Sequence, residues 1–294
     1  MRKVKVAVTQ MACSREHPDN IEKAESIVRE ASNRGANIIL LQELFETQYF
    51  CIDQNPEYFE WARPFEKHPM LERMSRLAKE LRVVLPVSFF ERSGKTYFNS
   101  LAMIDADGQQ LGVYRKSHIP DGPGYQEKFY FSPGNSGFRV WETRFGKVGV
   151  GICWDQWFPE AARVMALQGA EILCYPTAIG SEPPDPDYDS CPHWTRTMQG
   201  HAAANIMPVM ASNRIGFEKG LTGKSGANYD LTFYGSSFIA GPTGELLEQA
   251  GRIEEQILIA RFDLDEIQKM RSGWGIFRDR RPELYQTLFS LDGS

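Results

Sequence analysis

An α/β fold with two β-sheets facing each other and helices outside them is what this 294-residue chain predicts. Three observations carry the prediction. Strand-like and helix-like segments alternate along the chain, an order that implies sheets with helices packed on them. Each half runs through that alternation and then closes in a hairpin pattern, which gives a pseudo-twofold arrangement. No linker rich in Pro, Gly or Ser divides the halves, so residues 1–294 are read as a single domain.

The first half begins with 3–10 (KVKVAVTQ), which alternates and is rich in valine, as a strand does. Residues 19–35 have helical apolar spacing and a glycine stop. ANIILLQE (36–43) is a short continuous apolar run, the signature of a strand covered on both faces. A second helix over 70–82 and a strand over 83–91 follow. SLAMIDADGQQLGVYRK (100–116) gives two strand patterns joined at Asp-Ala-Asp-Gly, a hairpin signal.

The second half repeats the order. VGVGI (148–152) is strand, 158–170 helix, EILCYP (171–176) strand, 193–205 helix and PVMASN (208–213) strand. A hairpin over 236–250 turns at Pro242-Thr243-Gly244, and 254–263 closes the series.

Composition excludes several classes. A net charge of -5 gives no basic footprint for nucleic acid. No apolar stretch approaches the length of a membrane span, and MRKVKVAVTQ enters a strand pattern instead of a signal-peptide apolar block. The five cysteines (Cys13, Cys51, Cys153, Cys174 and Cys191) form neither a disulfide framework nor a CxxC pair. Free thiols in a reducing cytoplasm are expected. His17, His68, His118, His193 and His201 show no HxH or HExxH grouping, so no metal is expected.

Ligands of open α/β sheets bind beyond the carboxyl ends of strands. Three apolar runs deliver a reactive side chain there: IILLQE gives Glu43, LGVYRK gives Lys116 and VGVGIC gives Cys153. Singly, each has an ordinary alternative: a turn-capping glutamate, an exposed hairpin lysine, a small core thiol. Together they form a working set. A thiolate nucleophile needs a base or a nearby positive charge. A carboxylate in an apolar pocket can serve as base in place of histidine. Lysine supplies charge for an oxyanion, and the backbone N–H of Trp154 a second donor.

LLQELF (40–45), YRKSHIP (114–120) and GICWDQWFPEAARVMALQGAE (151–171) resemble the three signature segments of the nitrilase superfamily, the carbon–nitrogen hydrolases. The resemblance spans nearly the whole chain and implies a four-layer α-β-β-α sandwich, nitrilase-like, with pseudo-twofold internal symmetry. It implies Glu43 as general base, Lys116 as oxyanion lysine, Cys153 as nucleophile, and no cofactor. GYQEKFYFSPG (124–134) resembles the second-glutamate region, which points to Glu127 as a residue that positions the lysine and substrate. Asp155 and Arg163 match motif positions for which structural roles are expected. The resemblance also implies a homo-oligomer, with a C-terminal extension at about 272–294 used in subunit contacts.

Nitriles, amides and ureido groups can all be cut by this triad, so the loops decide the substrate. SEPPDPDYDSCPHW (181–194) carries Glu182, Asp185, Asp187 and Asp189, and follows a strand that should lie beside that of Cys153. A carboxylate at its start suits a protonated amine, whereas a substrate carboxylate asks for Arg or Lys, and none occurs before Arg196. HIPDGPGYQEKFYF (118–131) and this loop resemble one branch of the superfamily, which implies a small cationic ureido substrate met by Glu182, Tyr125 and Trp154. Other amidases of the superfamily, nitrile hydrolysis, a non-catalytic binding protein and a redox thiol remain the alternatives.

Overall fold

The computed structural model describes residues 1–220 and 229–294. The first half folds as β1 (Lys3–Gln10), α1 (His17–Asn33), β2 (Ile38–Leu40), α2 (Pro69–Leu81), β3 (Leu85–Ser93), β4 (Thr96–Ile104) and β5 (Gln110–Arg115). The second half folds as β6 (Arg139–Thr143), β7 (Gly146–Val150), α3 (Pro159–Leu167), β8 (Ile172–Pro176), α4 (Cys191–Asn205) and β9 (Val209–Ser212). It continues through β10 (Ile215–Lys219), β11 (Asp230–Tyr234), β12 (Phe238–Ala240), β13 (Leu246–Gln249), β14 (Gln256–Asp263) and α5 (Leu264–Trp274).

One sheet runs β14-β1-β2 and continues into β3-β4-β5 through a parallel bridge between Ile38 and Val84, where Ile39 N donates to Val84 O at 3.0 Å. The other has the order β13-β12-β9-β8-β7-β6. The two orders correspond strand for strand, with β14 antiparallel to β1 as β6 is to β7. Alternation places Val6, Val8, Ile38 and Leu40 against Val148, Val150, Ile172 and Ile239 between the sheets. The opposite faces pack on helices: Ala7 and Ile39 meet Val28 of α1 and Met74 of α2, and Leu173 and Tyr175 meet Met165 of α3 and Trp194 of α4. The α-β-β-α sandwich and its internal pseudo-symmetry are therefore present.

Several elements differ from the sequence reading. Strand β4 starts four residues before the expected 100–116 hairpin and pairs with β3 in a hairpin the sequence reading lacked, because Ser93 meets Thr96 around a two-residue turn in which Gly94 has φ 62°. Strand β6, the β10–β11 hairpin and α5 carry mixed polar and apolar patterns that the reading passed over. Helix α5 is capped by the Asp263 carboxylate, which accepts from the Asp265 and Glu266 amides, and stops at left-handed Gly275. The first three residues of the expected C-terminal extension thus finish a helix.

His68, at the start of α2, is buried edge-on to Phe89, and among the described residues neither ring nitrogen has a hydrogen-bond partner. Burial lowers its pKa from 6.5 to about 4. Glu46 Oε2 is 3.7 Å away, and burial raises that carboxyl to about 7, so it stays neutral over the same interval. A depressed folded-state pKa contributes stability that is present above pH 6.5 and lost as pH falls through about 4. Replacing His68 by leucine is expected to remove up to about 3 kcal/mol of that acid loss. Denaturant titrations of both proteins across the interval check this.

Candidate active site

Glu43 lies in the turn after β2, Lys116 directly after β5, and Cys153 opens a 3-10 turn (Cys153–Trp157) after β7. All three are buried, and the fold brings them together with Glu127, which opens the turn Glu127–Phe129. Lys116 Nζ donates to Glu43 Oε1 at 2.9 Å and to Glu127 Oε1 and Oε2 at 2.8 and 2.7 Å. A second donor, Asn99 Nδ2, reaches Glu43 Oε1 at 2.6 Å, while Glu43 Oε2 has no hydrogen-bond partner among the described residues. Tyr49 donates its hydroxyl proton to Glu127 Oε1 at 2.6 Å.

The charge balance follows from this packing. Burial acts to lower the Lys116 pKa, but Glu127 and then Glu43 outweigh it and hold the ammonium well above its ordinary range. Burial raises the Glu127 carboxyl, Lys116 opposes the rise, and the net direction is upward. Burial, with Glu43 adding to it, pushes the Cys153 thiol well above its ordinary value, although Lys116 pulls the other way. Cys153 is therefore held as a thiol, and any reaction at its sulfur needs a base to take the proton.

The backbone around Cys153 is constrained. Cys153 has φ 41°, a left-handed conformation that non-glycine residues seldom hold away from functional turns. A β-carbon on Gly151 would lie 2.8 Å from the Tyr175 ring, so only glycine lets the strand end sit this low. The buried Asp155 carboxylate accepts from Ile152 N at 2.9 Å, His118 N at 3.0 Å and the Tyr114 hydroxyl at 2.7 Å. One carboxylate thus joins the turn of Cys153 to the segment of Lys116. Arg163 instead donates to Ala204 O, tying α3 to α4 away from the site.

Cys153 and Glu127 reach the floor of a cleft of about 470 Å³, while Glu43 and Lys116 lie fully buried behind it. Trp154, Tyr125 and Glu182 line its walls, with Asp121, Asp185 and His193. Tyr125 joins the two rim loops: its hydroxyl accepts from Gly180 N at 2.9 Å and donates to Ser181 O at 3.0 Å. Of the remaining loop acids, Asp187 is exposed and Asp189 pairs with Arg252 at 2.6 Å. Arg196 faces a separate groove, and among the described residues no arginine or lysine lines the cleft. Among the described residues, no three His, Cys, Asp or Glu side chains converge so as to hold a metal ion.

Asn99, Tyr49 and Arg214 were missed by the sequence reading. Asn99 sits in FNSL, a polar pair inside an apolar strand, and Arg214 in SNRIG, a polar run straight after one. Such breaks of pattern are the signal that would have found them. Tyr49 stands among other aromatic residues, with no such break to mark it.

The carbon–nitrogen hydrolase family model matches residues 5–272. An N-carbamoylputrescine amidase of Solanum tuberosum is 61% identical over 293 residues, which cover 100% of this chain and 97% of that protein. A citrullinase of Francisella tularensis is 56% identical, covering 98% of this chain and 99% of its own. The crystal structure of a carbon–nitrogen hydrolase from Helicobacter pylori G27 superposes with a TM-score of 0.92 at 41% identity, over 98% of this chain and 99% of that one. The chain belongs to the carbon–nitrogen hydrolase family.

Proposed function

We infer that this protein hydrolyses N-carbamoylputrescine to putrescine, ammonia and carbon dioxide, a step of putrescine and polyamine biosynthesis, with Cys153 as nucleophile. The observation that carries the substrate reading is a cleft over Cys153 walled by Glu182, Asp185 and Asp121, with no arginine or lysine among the described residues that line it. Such a cleft fits a slender chain with an ammonium at its far end. The relative from Solanum tuberosum bears the corresponding name.

Glu43 is read as the general base through Oε2, since Asn99 and Lys116 occupy Oε1. The thiol proton passes to Glu43 as Cys153 attacks the ureido carbon. Lys116 and the Trp154 N–H, free at the start of its turn, hold the oxyanion. As that intermediate collapses, Glu43 returns the proton to the terminal nitrogen and ammonia leaves a carbamoyl thioester. Water, deprotonated by Glu43, then displaces the thiol and yields a carbamic acid, which loses carbon dioxide. Glu127, oriented by Tyr49, keeps Lys116 charged and in place. Every step uses groups of this chain and water, without a cofactor.

Turnover of ureido compounds ending in ammonium, carboxylate or methyl tests the reading; the ammonium compound should be preferred, and equal rates for all three would overturn it. Glu182→Gln is expected to raise KM for N-carbamoylputrescine by about 10-fold or more with kcat little changed, reflecting loss of a charge-assisted contact. Steady-state kinetics check it. Citrulline is the second reading, favoured by the 56% identical citrullinase; it bears an ammonium and a carboxylate, so the same screen with citrulline added separates the two.

Five free cysteines suit a reducing cytoplasm; no helix among the described residues is long and apolar enough to cross a membrane. Residues 1–294 are read as a single hydrolase domain whose C-terminal stretch, with Leu288 and Phe289 exposed beside a groove against α3 and α4, meets a second copy of the chain.

A further inference from the structure

Behind the site lies a second buried ion pair that the reaction does not use. Arg214 follows β9, and Glu218 lies in β10; both are buried, and Arg214 Nη1 meets Glu218 Oε1 at 2.8 Å. Replacing such a pair with packed apolar side chains is often neutral for stability, so stability alone is a weak reason for its presence. Its remaining contacts suggest a stronger one. Arg214 Nη2 donates to the backbone carbonyls of Glu43 at 2.7 Å and Leu44 at 3.0 Å, and Nη1 to that of Thr47 at 3.3 Å. Leu44 is held at φ 47°, a left-handed conformation the surroundings must impose. Glu218 Oε2 accepts the backbone N–H of Tyr49 at 2.5 Å. The Tyr49 hydroxyl in turn orients Glu127.

We propose that Arg214 and Glu218 are positioning residues, a brace that fixes segment 43–49 so that Glu43 and, through Tyr49, Glu127 meet Lys116 together. The proposal rests on Glu43 acting as base toward Cys153. Arg214 Nε has no hydrogen-bond partner among the described residues, so the guanidinium is spent on the turn and on Glu218. The Arg214 guanidinium also lies over the Tyr49 ring, 5.8 Å from its centroid, which adds a contact to the same segment.

The test uses the full chain carrying Glu218→Gln, Arg214→Lys or Tyr49→Phe, with melting temperature measured beside activity. Glu218→Gln keeps an acceptor of similar shape but removes the charge that anchors Arg214. Arg214→Lys keeps the charge but cannot span three carbonyls. Small misplacements of catalytic groups cost about 100-fold, so kcat for N-carbamoylputrescine should fall about 10- to 100-fold with KM within about twofold. The rate of Cys153 alkylation by iodoacetamide should fall in parallel. Because the proposed path from Glu218 runs partly through Tyr49, Glu218→Gln and Tyr49→Phe should combine less than additively.

Parent-like kcat and alkylation in folded Glu218→Gln would overturn the brace, whatever Arg214→Lys does. Strictly additive loss in the double variant would overturn the path through Tyr49. If the parent protein fails to turn over N-carbamoylputrescine, the substrate reading fails, yet the alkylation rates still decide the brace.

Discussion

Cys153→Ala is expected to lose turnover by about 10⁴-fold or more, since nothing else in the cleft can form the thioester. Fold and stability should barely change. Alanine also has a β-carbon, so the cost of φ 41° at this position persists, and the lost sulfur contacts are few in a small side chain. Melting within a few degrees of the parent, with ammonia release at background, is the expected pair of results. Cys153→Gly separates strain from chemistry: it should be equally inactive yet as stable as the parent or more so, because glycine relaxes the left-handed turn at its own entropic cost. A thermal scan and a single ammonia assay check all three proteins.

Lys116→Met carries the second large effect, on stability and activity together. Lys116 Nζ stands between Glu43 and Glu127 at 2.7–2.9 Å, and all three side chains are fully buried. Removing the cation leaves two carboxyls facing each other without compensation, which costs about 3–5 kcal/mol in buried pairs. Loss of an oxyanion donor costs about 3 kcal/mol in the reaction barrier, or about 10²-fold in kcat. The pH dependence gives the sign. Burial already raises the Glu127 carboxyl from 4.5 to about 7 with Lys116 opposing it, and without Lys116 the rise grows. A raised folded-state pKa contributes stability that is present below the unfolded value of 4.5 and lost as pH rises through the folded value. Denaturant titrations should therefore find Lys116→Met more stable in mild acid than at neutral pH, by a wider margin than the parent shows.

Much of the fold could be read before the structure, for identifiable reasons. The sandwich interior is built from plain strand patterns, the valine-rich alternation of β1 and the short apolar runs of β2 and β8. The hairpin β10–β11 escaped because β10 inverts the usual pattern, burying Glu218 and exposing Phe217, and strand β6 because in its five residues only Trp141 and Thr143 are buried. At the site, Glu43, Lys116 and Cys153 were visible as reactive side chains closing apolar runs. Glu127 was suggested by a local motif, and only the fold places it against Lys116.

The supporting residues were hidden for another reason. Asn99 and Arg214 act through hydrogen bonds to residues 56 and 171 positions away, and no local pattern encodes a partner at that distance. The division within the acidic loop was equally out of reach. Glu182 and Asp185 face the cleft while Asp189 turns to Arg252, a choice made by where the loop folds and not by its composition.

The central claim is a carbamoyl thioester on Cys153, and hydroxylamine capture tests it most directly. With N-carbamoylputrescine and high hydroxylamine, the account predicts a substituted hydroxyurea alongside ammonia, formed by the parent enzyme and absent with Cys153→Ala. Putrescine, ammonia and carbon dioxide with no hydroxyurea at saturating hydroxylamine, or hydroxyurea formed equally by Cys153→Ala, would contradict it.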